Sequence, residues 1–289
     1  MDKLGISLTF FAAYCFSAFC NATEPMTVSY LKLDDFDAHY HYRYELIAQA
    51  LEITRPEFGG YQLKPYTSQT SSIRYAQLLT EGDQLNLLWA SPGTPTASAD
   101  AIIIPIDIVK GLLGYRVCLI NANAVPNLNF VNDLHTFSAL KIGQGQWPDR
   151  AIYHFNKVTE IDSPNFSNLF KMLGAKRFDC IPLGIDEVEQ VYQDKKSQYP
   201  FLAIDSHLLI YYHYPVYFYV SKKHPKLAQR LTLGLQKMQS SGEFNQLFLK
   251  YHAQDIERLD LKKRSLICLK SPYINEPQCM QAPGYPDGL

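Results

Sequence analysis

What this 289-residue chain lacks removes several classes of function. Net charge is almost absent: 27 Lys and Arg against 28 Asp and Glu leave −1. No broad positive field exists to hold nucleic acid or an anionic bilayer, so neither is an expected partner. Gly-x-Ser-x-Gly, His-Glu-x-x-His and the phosphate-binding loop do not occur, which takes away the common signatures of serine hydrolases, zinc proteases and P-loop enzymes. Cys-x-x-Cys is missing too, and a structural zinc site is not expected. His41 with Glu45 is the one metal-like spacing, and a solvated pair explains it. Past the first residues no apolar run reaches the roughly 20 positions of a membrane span, because Phe201–Val220 is broken by Asp205, His207, His213 and Pro215.

What is present describes a globule. Hydrophobic residues make up 47% and charged residues 19%, enough for a large core and incompatible with disorder. At roughly 150 residues per domain the length suits one large or two ordinary domains. The 20 Tyr and 16 Phe can pack, or can line a ligand cleft with flat faces carrying a polar tip.

The first 22 residues stand apart. Lys3 precedes an apolar run from Leu4 to Phe19, and Cys20-Asn-Ala22 places small residues three and one before Thr23. This reads as a cleavable signal peptide, which predicts a mature, exported chain beginning at Thr23. Four cysteines then remain: Cys118, Cys180, Cys268 and Cys279. An oxidising compartment permits disulfides. The short, proline-containing loop between Cys268 and Cys279 makes that pair the expected bridge; Cys118 and Cys180 are expected as buried thiols, with a second bridge between them left open.

Strand and helix signals alternate along the mature chain. Met26–Lys32, Tyr61–Thr67 and Gln84–Ala90 read as strands, with helices at His39–Ile53 and Ser71–Leu79 between them and Ser71 or Ser72 as cap. Ala101–Ile108 and Tyr115–Asn121 are further strands around Lys110-Gly-Leu-Leu-Gly114, whose glycines suit a change of direction. A second alternating set follows: Leu140–Gly143, helix Trp147–Lys157, Val158–Ile161, helix Phe166–Leu173, Phe178–Pro182 and helix Asp186–Lys195. The chain returns through β-prone Leu208–Val220 and closes with helices at Pro225–Gln239, Glu243–Tyr251 and Ala253–Leu259. Alternation of this kind implies parallel sheets joined by right-handed crossovers, here in two lobes.

The order of these elements, with Gly111-Leu-Leu-Gly-Tyr-Arg116, Lys141-Ile-Gly-Gln-Gly-Gln-Trp-Pro-Asp149, Arg177-Phe-Asp-Cys-Ile-Pro182 and Tyr217-Phe-Tyr-Val220, resembles the bacterial solute-binding proteins of family 3. The resemblance covers about residues 25–260. It implies an α/β type II periplasmic-binding-protein fold of two lobes, each a mostly parallel sheet flanked by helices. The boundaries it suggests are a leader at 1–22, a discontinuous first lobe at 23–112 and 215–265, a second lobe at 113–214 and a tail at 266–289. In that family a ligand is clamped between the lobes and a membrane permease or sensor reads the closed form. A periplasmic location, a monomer, a small-molecule ligand, no cofactor and no reaction are the matching expectations. One departure stands out. The amino-acid binders of the family grip the ligand carboxylate with an Arg shortly after the third strand, and the matching stretch Gly93–Asp100 contains none. Ser or Ala cannot replace a bidentate fork.

Open parallel sheets bind ligands beyond the carboxyl ends of their strands. Those positions are Tyr30, Asp34 and Asp35 after the first strand, Ser68 and Gln69 after the second, Trp89, Ser91 and Thr94 after the third, and Gln144, Gln146 and Trp147 in the second lobe. Packing competes with binding at Tyr30, Trp89 and Trp147. In the run Tyr211–Tyr219, Tyr212, His213 or Tyr214 face either core or cleft. Gly143-Gln-Gly-Gln-Trp-Pro148 imitates a dinucleotide fingerprint, but Pro148 stands where the third glycine is needed. The alternative to a binding protein is a periplasmic enzyme on the same fold, similar to cyclohexadienyl dehydratases. It would use a cleft carboxylate of raised pKa as acid or base, and Asp34, Asp35, Asp186 and Glu187 are its candidates.

Overall fold

The computed structural model describes residues 24–32, 38–124 and 128–273. The expected leader, Asp34, Asp35 and Cys279 lie outside them. The chain opens with β1 (Met26–Leu31), α1 (Ala38–Glu52), α2 (Arg55–Phe58), β2 (Tyr61–Tyr66), α3 (Ser72–Glu81), β3 (Leu87–Ala90) and β4 (Ala101–Ile104). It continues through β5 (Tyr115–Asn121), α4 (Leu134–Ser138), β6 (Lys141–Gln144), α5 (Arg150–Phe155), β7 (Thr159–Asp162), α6 (Phe166–Gly174), β8 (Cys180–Gly184), α7 (Val188–Lys195), β9 (Leu202–Ile204) and β10 (Leu208–Tyr211). It then returns by β11 (Tyr217–Ser221), α8 (Pro225–Ser241) and α9 (Glu243–Arg258), and reaches β12 (Ser265–Cys268).

These strands form two sheets. The first has the order β2-β1-β3-β11-β4, and the second β12-β10-β5-β8-β6-β7 with β9 beside β5. β1 runs parallel to β2 and β3, and β6 parallel to β7 and β8. The strands that carry the chain between lobes are antiparallel to their neighbours: β11 in the first sheet and β5 in the second. All seven residues of β5 are buried, as a strand covered on both faces requires. Local sequence explains the helices. The Ser71 hydroxyl accepts from the Arg74 N–H and starts α3, whose Ala76, Leu78 and Leu79 turn inward. Asn165 caps α6 in the same way, and Leu169, Phe170 and Leu173 form its buried stripe.

Two segments join the sheets side by side, between β4 and β5 and between β10 and β11. Tyr212 N–H donates to the Gly114 carbonyl at 3.2 Å, and Ile108 N–H to the Val216 carbonyl at 2.9 Å. Asp107 ties both together, accepting from the N–H groups of Val109, Gly111 and Val216 at 3.1, 2.6 and 3.0 Å. Gly114 is required here, because a Cβ would run into the Tyr212 carbonyl oxygen.

Several expectations need correction. Leu208–Val220 is not one strand: β10 and β11 belong to different sheets, and Pro215, without an N–H, lies in the link between them. The two closing helices expected after 243 are one, α9, since nothing at Tyr251–Ala253 breaks it. The helix expected from Trp147 begins at Arg150, because Trp147 precedes Pro148 and is steered away from helical backbone. β12 pairs with β10 in the second sheet, so the 265/266 boundary falls inside a strand. Cys118 and Cys180 are not thiols. They occupy diagonal positions on one face of neighbouring β5 and β8, their Cα atoms are 5.4 Å apart, and they form a disulfide. Their complete burial argues for apolar packing only until the strand register is known. Cys268 is also disulfide-bonded, and Cys279, its expected partner, lies outside the described residues.

Candidate functional site

The ends of β3, β5, β6 and β8 and the β10–β11 link surround a hollow of about 390 Å³. The first sheet supplies Ser91 and Thr94. The Thr94 hydroxyl donates to the Ser91 carbonyl at 2.8 Å and accepts from Ala97 N–H at 3.3 Å, so it holds the loop in place. The second sheet supplies most of the wall: Arg116 from β5, Trp147-Pro-Asp149 after β6, Phe166 opening α6, Glu187 after β8, and Tyr214 from the link. Trp147 and Phe166 have ring centroids 5.9 Å apart.

A charged network lies in this wall. Arg116, 7% exposed, donates from Nε to the Tyr212 hydroxyl at 2.7 Å and from Nη2 to Asp149 Oδ2 at 3.1 Å. Its Nη1 is 3.6 Å from Glu187 Oε1, which also accepts from Gly184 N–H at 2.8 Å. Tyr212 in turn donates to Asp149 Oδ2 at 2.6 Å. Burial works against the Arg116 charge, yet the Tyr212 oxygen at its Nε and the carboxylates of Asp149 and Glu187 keep its pKa well above the ordinary value. Burial pushes the Tyr212 hydroxyl far up, so it stays a neutral donor. Glu187 differs. Its side chain is 48% exposed, but that surface faces a walled cleft, and burial raises its pKa despite the opposing pull of Arg116.

Ser91, Trp147 and Tyr214, all expected at the site, line this hollow together. Gln146 opens with Trp147 onto a separate hollow beside Arg150, His154 and Glu160. Gln144 is fully buried at the end of β6, and its side-chain amide has no hydrogen-bond partner among the described residues. Tyr30 is buried against Tyr44, with ring centroids 5.4 Å apart. Trp89 is half-buried, edge-on to Tyr44 at 6.0 Å and beneath the Arg43 guanidinium at 5.5 Å. Ser68 and Gln69 are exposed in the loop before α3. Among the acid candidates, Glu187 lines the hollow and Asp186 is half-buried beside it.

Sequence reasoning overlooked Arg116 and Asp149. A usable signal existed for Arg116, a single charge inside the apolar strand Tyr-Arg-Val-Cys-Leu-Ile-Asn. Glu45, expected as a solvated partner of His41, instead accepts from Lys250 at 2.7 Å, Tyr251 at 2.7 Å and Gln49 at 3.1 Å. Among the described residues no group of three or more His, Cys, Asp or Glu is placed to hold a metal, and no helix is long and apolar enough to cross a membrane. A larger hollow of about 730 Å³ lies by Asp107, Lys110, His213 and Phe244, against the links between the sheets. Asp107 in its wall is committed to the three backbone N–H groups of the links.

No protein-family model matches the chain, and no curated protein matches it. Solved structures do. The GluR0 ligand-binding core complex with L-glutamate aligns at 10% identity and a TM-score of 0.51, covering 80% of this chain and 99% of that one. An ancestral arginine-binding protein bound to glutamine aligns at 11% and 0.49, over 78% and 97% of the two chains. An arginine-specific periplasmic binding protein of Salmonella typhimurium aligns at 14% and 0.49, over 78% and 99%. Identities this low speak to the fold alone. The chain has a mixed α/β fold of two sheets flanked by helices, like that of the GluR0 ligand-binding core.

Proposed function

We propose that this chain is an extracytoplasmic solute-binding protein, similar to those of family 3. It is exported by a leader cleaved after Ala22, it closes two lobes on one small molecule, and a membrane permease or sensor reads the closed form. The observation that carries this reading is the hollow of about 390 Å³ whose walls come from both sheets and whose floor holds Arg116, Asp149 and Glu187. Open α/β sheets bind ligands at this place. The adjoining links between the lobes give the movement a natural hinge. The test is native mass spectrometry of the exported chain with the solute it retains, followed by titration of wild type and Trp147→Ala. A retained molecule that leaves unaltered, and binds the variant more weakly, supports the reading. No retained molecule, and no difference between the two proteins, refutes it.

One observation favours the enzyme alternative: Glu187 is a cleft carboxyl with a raised pKa, the property a general acid or base needs. Its hydrogen bond from Gly184 and its pairing with Arg116 are equally suited to orienting a ligand. Steady conversion of the retained solute by wild type, abolished in Glu187→Gln, would move the protein to the enzyme class.

A further inference from the structure

The charge of the cleft says what kind of molecule it takes. The described wall carries one cation, Arg116, and two carboxylates, Asp149 and Glu187. Arg116 is engaged at all three nitrogens by the protein's own oxygens, on Tyr212, Asp149 and Glu187. It therefore balances only one of the two negative charges and offers little to an incoming carboxylate. The described first-lobe wall, Ser91 and Thr94, supplies no substitute, and Gly93–Asp100 contains no basic residue.

Asp149 supplies the independent observation. Its side chain is 6% exposed. Oδ2 receives both the Arg116 and the Tyr212 hydrogen bonds, while Oδ1 is buried with no partner among the described residues. A buried carboxylate oxygen without a donor is costly, so Asp149, which lines the hollow, carries a negative charge that the protein's own donors satisfy on one oxygen only. The remaining wall is apolar and aromatic: Trp147, Phe166 and Tyr214 with Leu183 and Val191. Such faces bind an organic body and attract a cation through their π-electrons.

We propose that the cleft takes a monocationic organic amine with an apolar or aromatic body and no carboxylate, its ammonium held by Asp149 and Glu187 and its body by Trp147, Phe166 and Tyr214. This rests on the reading of the chain as a cleft-binding receptor, and it departs from recognition of a zwitterionic amino acid.

The experiment is calorimetric titration of the mature chain at neutral pH with four probes that share one body: phenethylamine, phenylalanine, 3-phenylpropanoate and 2-phenylethanol. Phenethylamine should bind at least tenfold more tightly than the other three. Glu187→Gln should weaken it at least tenfold without lowering the melting temperature, since the glutamine oxygen still accepts from Gly184. Asp149→Asn is the second variant, and refolding failure there leaves the Glu187 result decisive. Phenylalanine, phenylpropanoate or phenylethanol binding as well as the amine, or an amine affinity indifferent to Glu187→Gln, overturns the proposal while the receptor reading stands. Absence of binding by every probe also overturns it, and the retained-solute measurement then decides the receptor reading separately.

Discussion

Burial raises the Glu187 carboxyl above the ordinary carboxylate range. Arg116 pulls it back, Asp186 pushes it up, the Gly184 N–H lowers it, and Asp149 adds a smaller upward push. A raised native pKa means that the folded chain holds this proton more tightly than the unfolded one. Glu187 therefore favours folding fully below about pH 4.3, and that contribution is lost as pH rises through its native value. A bound cation selects the ionised form. Affinity for an amine should climb with pH over the same interval and then level off, with a proton released on binding within it. Calorimetry in two buffers of different ionisation heat measures that release, and Glu187→Gln should abolish the slope. Trp147 contributes differently, as a half-buried face against Phe166. Its replacement by Ala should cost about 1–3 kcal/mol of binding, as lost aromatic anchors do. A large fall in melting temperature with unchanged affinity would make it a packing residue instead.

At the scale of elements, the links between the lobes depend on Asp107, which accepts three backbone N–H groups from two chain segments. Asp107→Ala should destabilise the fold by about 2–3 kcal/mol, read as a lower urea midpoint at constant slope. The Cys118–Cys180 disulfide spans 62 residues of sequence. Replacing both cysteines by Ala should cost roughly 2–5 kcal/mol. Two protected cysteines at these positions in a denatured, alkylated digest confirm the bridge. Elements whose signals are local were legible in the sequence: the Ser71 cap, the apolar stripe of α6 and the buried run of β5. Pairing was not. Tyr211–Tyr219 reads as a single aromatic strand because period and propensity do not encode which sheet a residue joins. β9, with three residues, is too short to show any period. The same limit divides the site. Ser91, Trp147 and Tyr214 follow from their places near strand ends and crossings. Arg116 meets Asp149 across 33 residues and Tyr212 across 96, which only the assembled sheet reveals.

On the scale of the whole molecule, the lobes meet at a second place besides the paired links. Beyond β12 the chain brings Tyr273 to the cleft rim, where its hydroxyl donates to the Pro148 carbonyl at 3.1 Å. Its ring faces Tyr214, with centroids 6.3 Å apart. On the first-lobe side it lies against Gly93, which has a φ of 82° and no room for a Cβ beneath the phenol. Gly93 is thus needed twice, for its left-handed backbone and for the space it leaves. A contact that spans both lobes opposes their separation, and separation is what releases a ligand from a two-lobed cleft. Tyr273→Phe, which keeps the ring and loses the Pro148 hydrogen bond, should raise the dissociation rate of the retained solute several-fold. Gly93→Ala, which displaces the ring, should raise it further. Association rates should change little, since interface changes are felt mainly in dissociation. Stopped-flow tryptophan fluorescence resolves the two rates. Equal dissociation rates in wild type and both variants would show that the links alone hold the lobes together and that Tyr273 only packs against the rim.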